Sequence, residues 1–198
     1  KTTHVVYGED MGILAGDALL NYAFETACSA FDMDEADPRR TGRALQILAK
    51  KAGIYGMIGG QVVDVKESGH QIGGDVLDFI YRLKTGALIE SSVMIGAVLA
   101  GASESEVRTM EQIAAKTGMA FQIQDDILDV TGSAEVLGKP VHSDEKNEKT
   151  TYVTWKGIEE SGQEVARLTD EAVAGLKSLG KNDKFLEELL RWLVYREK

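Results

Sequence analysis

The chain contains a single cysteine, so a disulfide bond within it is excluded. That residue, Cys28, lies in an apolar stretch with helical spacing, and we expect it to pack as a small hydrophobic side chain. Low cysteine content fits a reducing compartment and predicts a cytoplasmic protein. No apolar run approaches the roughly 20 residues that a membrane-spanning helix needs, so we expect no membrane span.

Basic residues are also scarce relative to acidic ones. There are 22 Lys plus Arg against 32 Asp plus Glu, which gives a formal net charge of -10. Binding to a nucleic-acid backbone requires a basic patch, so we expect no nucleic-acid partner. Phosphorylated small molecules are not excluded, because a few lysines and bound metal ions can reverse the sign of the local charge.

Alternating apolar positions, which would indicate strands, are hard to find, and prolines number only two. Almost every segment instead has helical spacing. Helices are predicted over 11–31, 37–53, 54–68, 75–101 and 103–132, with two or three more after Thr151. Residues 69–74 are predicted as a turn and 133–150 as a loop. With 43% hydrophobic residues, the chain is predicted to form one all-α domain over 1–198, a bundle of long helices.

Two helix starts carry specific capping residues. Asp37 suits the N-cap position and Pro38 the first helical position of the helix predicted to end near Gly53. Ser103, followed three residues later by Glu106, matches a capping box at the start of the helix over 103–132.

The segment FQIQDDILDV, at 121–130, gathers three aspartates without any Lys or Arg. A helix turns by roughly 100° per residue. With Phe121 at zero, the angles are about 40° for Asp125, about 80° for Asp129, about 100° for Gln122 and about 140° for Asp126. The four polar side chains therefore form one arc with apolar residues on both sides.

Two interpretations fit this arc. A solvated helix face is the ordinary one, but such a face usually mixes Lys with Glu, whereas Asp is unfavourable inside a helix. Like charges at i and i+4 also cost roughly 0.2–0.5 kcal/mol, which a bound cation would offset. Mg²⁺ prefers carboxylate oxygens together with waters and substrate phosphates. We therefore favour a metal site over a solvated face.

Two lysine-bearing segments could bring positive charge to such a site. Lys84, Thr85 and Gly86 lie in a helix that is apolar on several sides, where a Thr–Gly pair weakens helix continuity. A local break there would free backbone donors for a phosphate; the alternative is a surface lysine beside a packing glycine. Lys139 and Lys149, in the predicted loop, could reach a metal-bound anion or could simply be solvated.

Other polar residues are less informative. Gln61 and Asp64 lie on one helix face. They could belong to a ligand site, or they could be a buried polar pair that satisfies its own hydrogen bonds. The three histidines are scattered and show no zinc-ligand spacing. Together, the acidic arc and the two lysine-bearing segments predict a site for a metal-bound diphosphate.

These segments resemble the trans-isoprenyl diphosphate synthases, the polyprenyl synthetase family that includes farnesyl and geranylgeranyl diphosphate synthases. FQIQDDILD is similar to the family's second aspartate-rich motif, FQxxDDxxD. The overall likeness is closest to bacterial short-chain synthases of the geranyltransferase type. The similar stretches run nearly end to end: TTHVVYGEDMGILAGDALLNYAFE, GGQVVD, KTGALI, FQIQDDILD and LGKPVHSDEKNEKTTY.

The resemblance implies an all-α isoprenoid-synthase bundle around a central cavity, in a homodimer. It also implies a reaction in which Mg²⁺ ions bridge an allylic diphosphate to two aspartate-rich motifs. The diphosphate leaves, and the allylic cation alkylates the double bond of isopentenyl diphosphate.

Site residues carry over by position. Metal binding falls to Asp125, Asp126 and Asp129, with Asp125 as the direct ligand. Contacts to the allylic diphosphate, or shielding of its charge, fall to Lys84, Thr85, Gln122, Lys139 and Lys149. The resemblance makes Lys84, Asp125 and Asp126 the catalytic residues and places Phe121 near the isopentenyl group. Arg196 and Lys198 match a basic tail that closes over the site.

Two features depart from the family's pattern. Where this chain has His142, the family has a small or flexible residue, often glycine, which puts the geometry of that loop in doubt. The family's first aspartate-rich motif, with its arginine pair, lies just upstream of TTHVVYGED, where this chain has only Lys1. We therefore expect the chain to be the C-terminal portion of a synthase without its N-terminal helices, and expect this portion alone to be inactive.

Two alternatives belong to other functional classes. A non-catalytic partner subunit of a heteromeric prenyl synthase would often have a degraded aspartate motif, whereas DDILD is intact. A terpene cyclase of the same fold usually mixes Asn, Ser or Thr, and Glu in its second metal motif, which FQIQDD and KTG do not match.

Overall fold

The computed structural model describes residues 1–132, 149–181 and 184–195. Within these ranges every regular element is helical, as the sequence predicted. No helix in them is both long and apolar enough to cross a membrane. The chain divides into two compact units, Lys1–Gln46 and Ile47–Lys198. The single domain over 1–198 stays a prediction, because the compactness of a unit does not show whether it folds alone.

The first unit exposes much of its apolar surface. It contains α1 (Thr3–Tyr7), α2 (Glu9–Cys28), a 3₁₀ turn (Ser29–Asp32) and the start of α3 (Pro38–Ala52). No residue of α2 is buried, and Leu19 is 71% exposed. The prediction that Cys28 packs as a small hydrophobic side chain is wrong, because Cys28 is exposed at the end of this helix.

The start of α3 confirms the predicted cap. The Asp37 Oδ1 accepts hydrogen bonds from the backbone N–H groups of Arg39 at 2.8 Å and Arg40 at 3.3 Å. These N–H groups have no partner within the helix, so the carboxylate supplies one. Pro38 occupies the first helical position, where no N–H is needed.

The second unit is built around one long helix, α7. Its helices are α4 (Met57–Lys66), α5 (Gly74–Tyr81), α6 (Ala87–Leu99), α7 (Glu104–Thr131), α8 (Tyr152–Lys156), α9 (Ile158–Ser178) and α10 (Lys184–Val194). The predicted capping box is present, since Ser103 Oγ accepts from the Glu106 N–H while the Glu106 carboxylate accepts from the Ser103 N–H. α7 contacts α6 and α9 most extensively.

A buried apolar cluster fixes the C-terminal half of α7 against its neighbours. It joins side chains of α5, α7, α8, α9 and α10: Leu77, Ile80, Tyr81, Ala120, Ile123, Tyr152, Val165, Leu168 and Val194. The aspartates of α7 follow directly after this apolar contact, so the cluster sets their position relative to α5 and α8.

The helix predicted over 75–101 does not break at Thr85. Between α5 and α6, residues Arg82–Gly86 form a π-helical turn, and the chain stays helical throughout. This turn lies against two other glycines: a Cβ added to Gly60 would be 2.3 Å from the Lys84 backbone nitrogen, and one added to Gly118 would be 3.0 Å from the Gly86 Cα. Close backbone contacts with α4 and α7 therefore surround the residues that precede α6. Such π turns often lie at functional sites.

Replacing Gly60 by alanine tests this close contact. Gly60→Ala is expected to destabilise the protein by about 1–3 kcal/mol, because backbone atoms of the π turn cannot move aside as a flexible side chain would. The matched control is Gly162→Ala in α9, where no atom lies within 4 Å of the added Cβ. That change should leave stability unchanged or raise it by about 0.5–1 kcal/mol. Equal midpoints of thermal unfolding for the two variants would contradict the close contact.

Candidate active site

A cavity of about 180 Å³ in the second unit brings most of the predicted site residues together. It lies between α4, α5, α7 and the segment that precedes α8. Its wall includes the apolar side chains of Leu77 and Ile80. The charged and amide groups that line it include Asp64, Lys84, Gln122, Asp125, Asp126 and Lys149.

Asp64 binds both lysines of the cavity. The Lys84 Nζ donates to Asp64 Oδ2 at 2.6 Å, and the Lys149 Nζ lies 3.4 Å from each oxygen of the same carboxylate. Partial burial favours protonation of Asp64, but the hydrogen bond from Lys84 and the charge of Lys149 outweigh it and hold the pKa of Asp64 below its ordinary value. Two ammonium groups from distant parts of the sequence are thus fixed at one side of the cavity.

Thr85 acts on the cavity through Gln122. The Thr85 Oγ1 donates to the Gln122 Oε1 at 2.9 Å, which connects the π turn to α7. This bond occupies the acceptor end of the amide. Gln122 can therefore offer its N–H donors to an anion in the cavity.

The three aspartates of α7 have different surroundings. Asp125 is partly buried and lines the cavity. Asp126 is only 8% exposed, and its Oδ2 accepts hydrogen bonds from the Tyr81 hydroxyl at 2.6 Å and the Tyr152 backbone N–H at 2.8 Å. Asp129 is 6% exposed. A solvated face is therefore the wrong interpretation for Asp126 and Asp129.

Comparisons with known proteins bear on this site. A family model described as polyprenyl synthetase matches residues 1–189. The chain belongs to the polyprenyl synthetase family. It is 39% identical over 201 residues to the farnesyl diphosphate synthase of Escherichia coli, covering 100% of this chain and 67% of that protein. It is 40% identical over 201 residues to the heterodimeric geranylgeranyl pyrophosphate synthase large subunit 1, chloroplastic, of Arabidopsis thaliana, covering 99% of this chain and 54% of that protein.

A solved structure confirms the predicted fold. The geranyltransferase from Helicobacter pylori, complexed with magnesium and isoprenyl diphosphate, superposes with a TM-score of 0.79 at 30% identity. The match covers 97% of this chain and 62% of that one. The chain spans about half the length of several curated relatives, among them the Arabidopsis protein, at 54%. The isoprenyl-synthase fold that the resemblance implied is thus the fold of this polyprenyl synthetase chain.

Some predicted residues do not line the cavity, and others lie outside the described residues. In the described part of the chain, Phe121 and Asp129 are not among the residues that line this cavity. Lys139, His142, Arg196 and Lys198 lie outside the described residues.

Several cavity groups of this polyprenyl synthetase chain were not predicted from the sequence. Tyr81 and the Tyr152 backbone bind Asp126 from positions 45 and 26 residues away, so no local sequence pattern predicts these contacts. Glu67 and His70 also line the cavity. Their position in the turn after α4 gave no signal, because a turn with charged residues is ordinarily solvated.

The lowered pKa of Asp64 predicts how its contribution to stability depends on pH. Because the pKa of Asp64 is depressed in the folded protein, its carboxylate stabilises the fold at pH values above the ordinary pKa of 3.8. This contribution is lost as the pH falls through the lower pKa of the folded state. The difference in free energy of unfolding between wild type and Asp64→Asn should therefore shrink from about pH 5 to about pH 3. Urea unfolding measures it, with Asp17→Asn, an exposed aspartate of α2, as control. A difference that grows towards acid would contradict the ion-pair account.

Proposed function

We propose that the protein carrying this chain is a trans-prenyltransferase. It condenses isopentenyl diphosphate with an allylic diphosphate, such as dimethylallyl or geranyl diphosphate, to give a longer trans-prenyl diphosphate. The observation that carries the proposal is the cavity in which Asp125 of the aspartate motif lies with Lys84 and Lys149. Membership of the polyprenyl synthetase family supports it.

The charge of the cavity bears on the ligand. Four carboxylates, those of Asp64, Glu67, Asp125 and Asp126, and two ammonium groups line it, a formal charge of -2. A diphosphate alone would be repelled by this balance. Cations that enter with the diphosphate remove the repulsion, and this favours a metal-bound diphosphate over a free one.

The residues fit Mg²⁺ by their donor chemistry. Within the described ranges, no three Asp, Glu, His or Cys side chains converge to enclose a metal ion. Mg²⁺ suits such a site, because it keeps several waters and takes one or two carboxylates plus substrate phosphate oxygens. Asp125 would hold the ion from the cavity wall, with Asp126 and Asp129 behind it in the same motif. When bound, Mg²⁺ supplies positive charge that stabilises the leaving diphosphate.

The chain's own residues bind and orient the allylic diphosphate in this proposal. Lys84 and Lys149 donate to its oxygens and stabilise the charge that develops as the allylic C–O bond breaks. Asp64 holds Lys84 closely and Lys149 at a longer distance, so both ammonium groups already lie at one side of the cavity when the ligand arrives. Gln122, oriented by Thr85, adds amide donors.

The carbon chemistry requires an apolar, dry region beside these charges. The allylic cation must not meet water before it alkylates the double bond of isopentenyl diphosphate. Leu77 and Ile80 supply apolar wall on the α5 side of the cavity. The proton lost after alkylation passes to the released diphosphate. Phe121 near the isopentenyl group and Lys139 over the diphosphate remain part of the proposal by resemblance.

We also propose that the protein is a homodimer, as the resemblance implies, because α2 exposes apolar side chains. Within the first unit, Ile13, Leu14 and Leu19 of α2 are 65%, 58% and 71% exposed. Exposed apolar surface of this extent is typical of a surface that meets another protein surface.

Exchanging Asp125 for asparagine tests the metal-binding role. In the intact protein, Asp125→Asn should lower turnover roughly 100-fold or more, because an amide keeps the shape but loses the charge that holds the cation. Asp129→Asn, one turn further along α7, should cause a smaller loss. Asp170→Asn, exposed on α9, should leave turnover unchanged. Steady-state rates at saturating Mg²⁺ measure the effects, with circular dichroism to check the helical fold; near wild-type turnover for Asp125→Asn would remove Asp125 from the metal site.

The two lysines are expected to differ kinetically. Lys84 lies on the π turn, packed against α4, and Lys84→Ala should lower kcat as well as raise KM for the allylic substrate. Lys149 lies on the segment before α8, and Lys149→Ala should act mainly on KM. Lys50→Ala removes an exposed ammonium from α3 and serves as control. If both cavity variants altered thermal stability alone, the lysines would be structural ion-pair partners of Asp64.

A further inference from the structure

We propose that Tyr81 is a positioning residue whose hydroxyl fixes the Asp126 carboxylate, and through it the segment 149–152 that carries Lys149 into the cavity. One buried oxygen, Asp126 Oδ2, accepts from both the Tyr81 hydroxyl and the Tyr152 backbone N–H. α5, α7 and the start of α8 therefore meet at a single atom. The cavity role of Lys149 rests on the proposed function; the positioning role of Tyr81 does not.

Burial makes this contact strong. Tyr81 is 8% exposed and Tyr152 is 4% exposed, and Asp126 between them is 8% exposed. A carboxylate taken out of water needs hydrogen-bond donors, and bonds to a charged acceptor are stronger than neutral ones. Distances of 2.6 Å and 2.8 Å agree with charge-assisted bonds. Loss of the Tyr81 donor would remove one of the two charge-assisted bonds that join Oδ2 to α5 and α8.

The segment 149–152 is fixed at several points, and Asp126 holds its C-terminal end. Thr150 Oγ1 accepts from the Ile72 backbone N–H at 3.2 Å. Thr151 caps α8, and the Tyr152 N–H then binds Asp126. Lys149, at the other end, is held by Asp64 only at 3.4 Å, a long distance for an ion pair of this kind. The position of the Lys149 ammonium therefore depends on how well the rest of the segment is fixed.

The phenol ring and the phenol hydroxyl of Tyr81 have separable roles. The ring belongs to the buried apolar cluster and lies 6.4 Å from the Tyr152 ring, centroid to centroid. Phenylalanine keeps this packing and removes the donor to Asp126. Tyr81→Phe therefore reports on the hydrogen bond with little change in core volume.

Tyr152→Phe is the matched control. Tyr152 lies in the same apolar cluster, but its hydroxyl accepts from the Lys156 Nζ at 3.4 Å and does not bind Asp126. Its backbone N–H, which does bind Asp126, is kept in the variant. The two changes thus remove one hydroxyl each from neighbouring buried rings, and only one of the two hydroxyls contacts Asp126.

Two measurements on the intact protein test the proposal. Hydrogen exchange at the amide of residue 152 should become roughly tenfold faster in Tyr81→Phe, since loss of a hydrogen bond to a charged group is worth about that factor. The dissociation constant for inorganic diphosphate in the presence of Mg²⁺, from calorimetry, should rise roughly tenfold in the same variant. Tyr152→Phe should change neither by more than about twofold.

The outcomes separate this inference from the proposed function. Unchanged exchange at residue 152 in Tyr81→Phe would overturn the positioning role. So would equal losses of thermal stability in both variants without any difference in exchange, because that result describes a purely structural residue. If the wild-type protein bound no diphosphate, the proposed function would fall, and amide exchange would still decide the role of Tyr81.

Discussion

One carboxylate, that of Asp64, allows two ammonium groups to lie side by side in the cavity. Lys84 and Lys149 would repel each other without it, and partial burial strengthens that repulsion. Asp64 can reach Lys84 only because α4 comes very close to the π turn, and this approach requires a residue without a side chain at position 60. A glycine contact between helices is therefore the physical basis for the charge arrangement of the site. The 2.6 Å bond from Lys84 to Asp64 depends on it.

The aspartates of α7 show how a helix can carry like charges beside an apolar core. The aspartates do not share one environment. Asp125 lies on the cavity wall, whereas Asp126 is buried and accepts two hydrogen bonds. Donors from α5 and α8 supply the hydrogen bonds that a buried carboxylate needs. The motif thus combines a group that faces the cavity with a group that holds the surrounding helices in place.

Local features of the fold were predictable from the sequence, and contacts between distant segments were not. Asp37 and Ser103 cap their helices through neighbours two or three residues away, so the pattern alone identifies them. The π turn was not predicted, because a Thr–Gly pair signals a weak point in a helix but does not show the backbone of α4 that packs against it. The Tyr81 bond to Asp126 spans 45 positions and leaves no local trace. Cys28 was wrongly assigned to a core because apolar spacing predicts burial without showing which surfaces cover a helix.

The resemblance identified residues that bind a diphosphate. The structure adds that Asp64 and a diphosphate would compete for the same two lysines. The ammonium groups of Lys84 and Lys149 cannot bind Asp64 and a diphosphate with full strength at once. A diphosphate that takes them leaves Asp64 with weaker partners in a cavity that already has an excess of carboxylates. On the proposed function, a divalent ion beside Asp125 supplies the missing positive charge. Ion and diphosphate must then each raise the affinity for the other by the same factor, because their coupling is reciprocal.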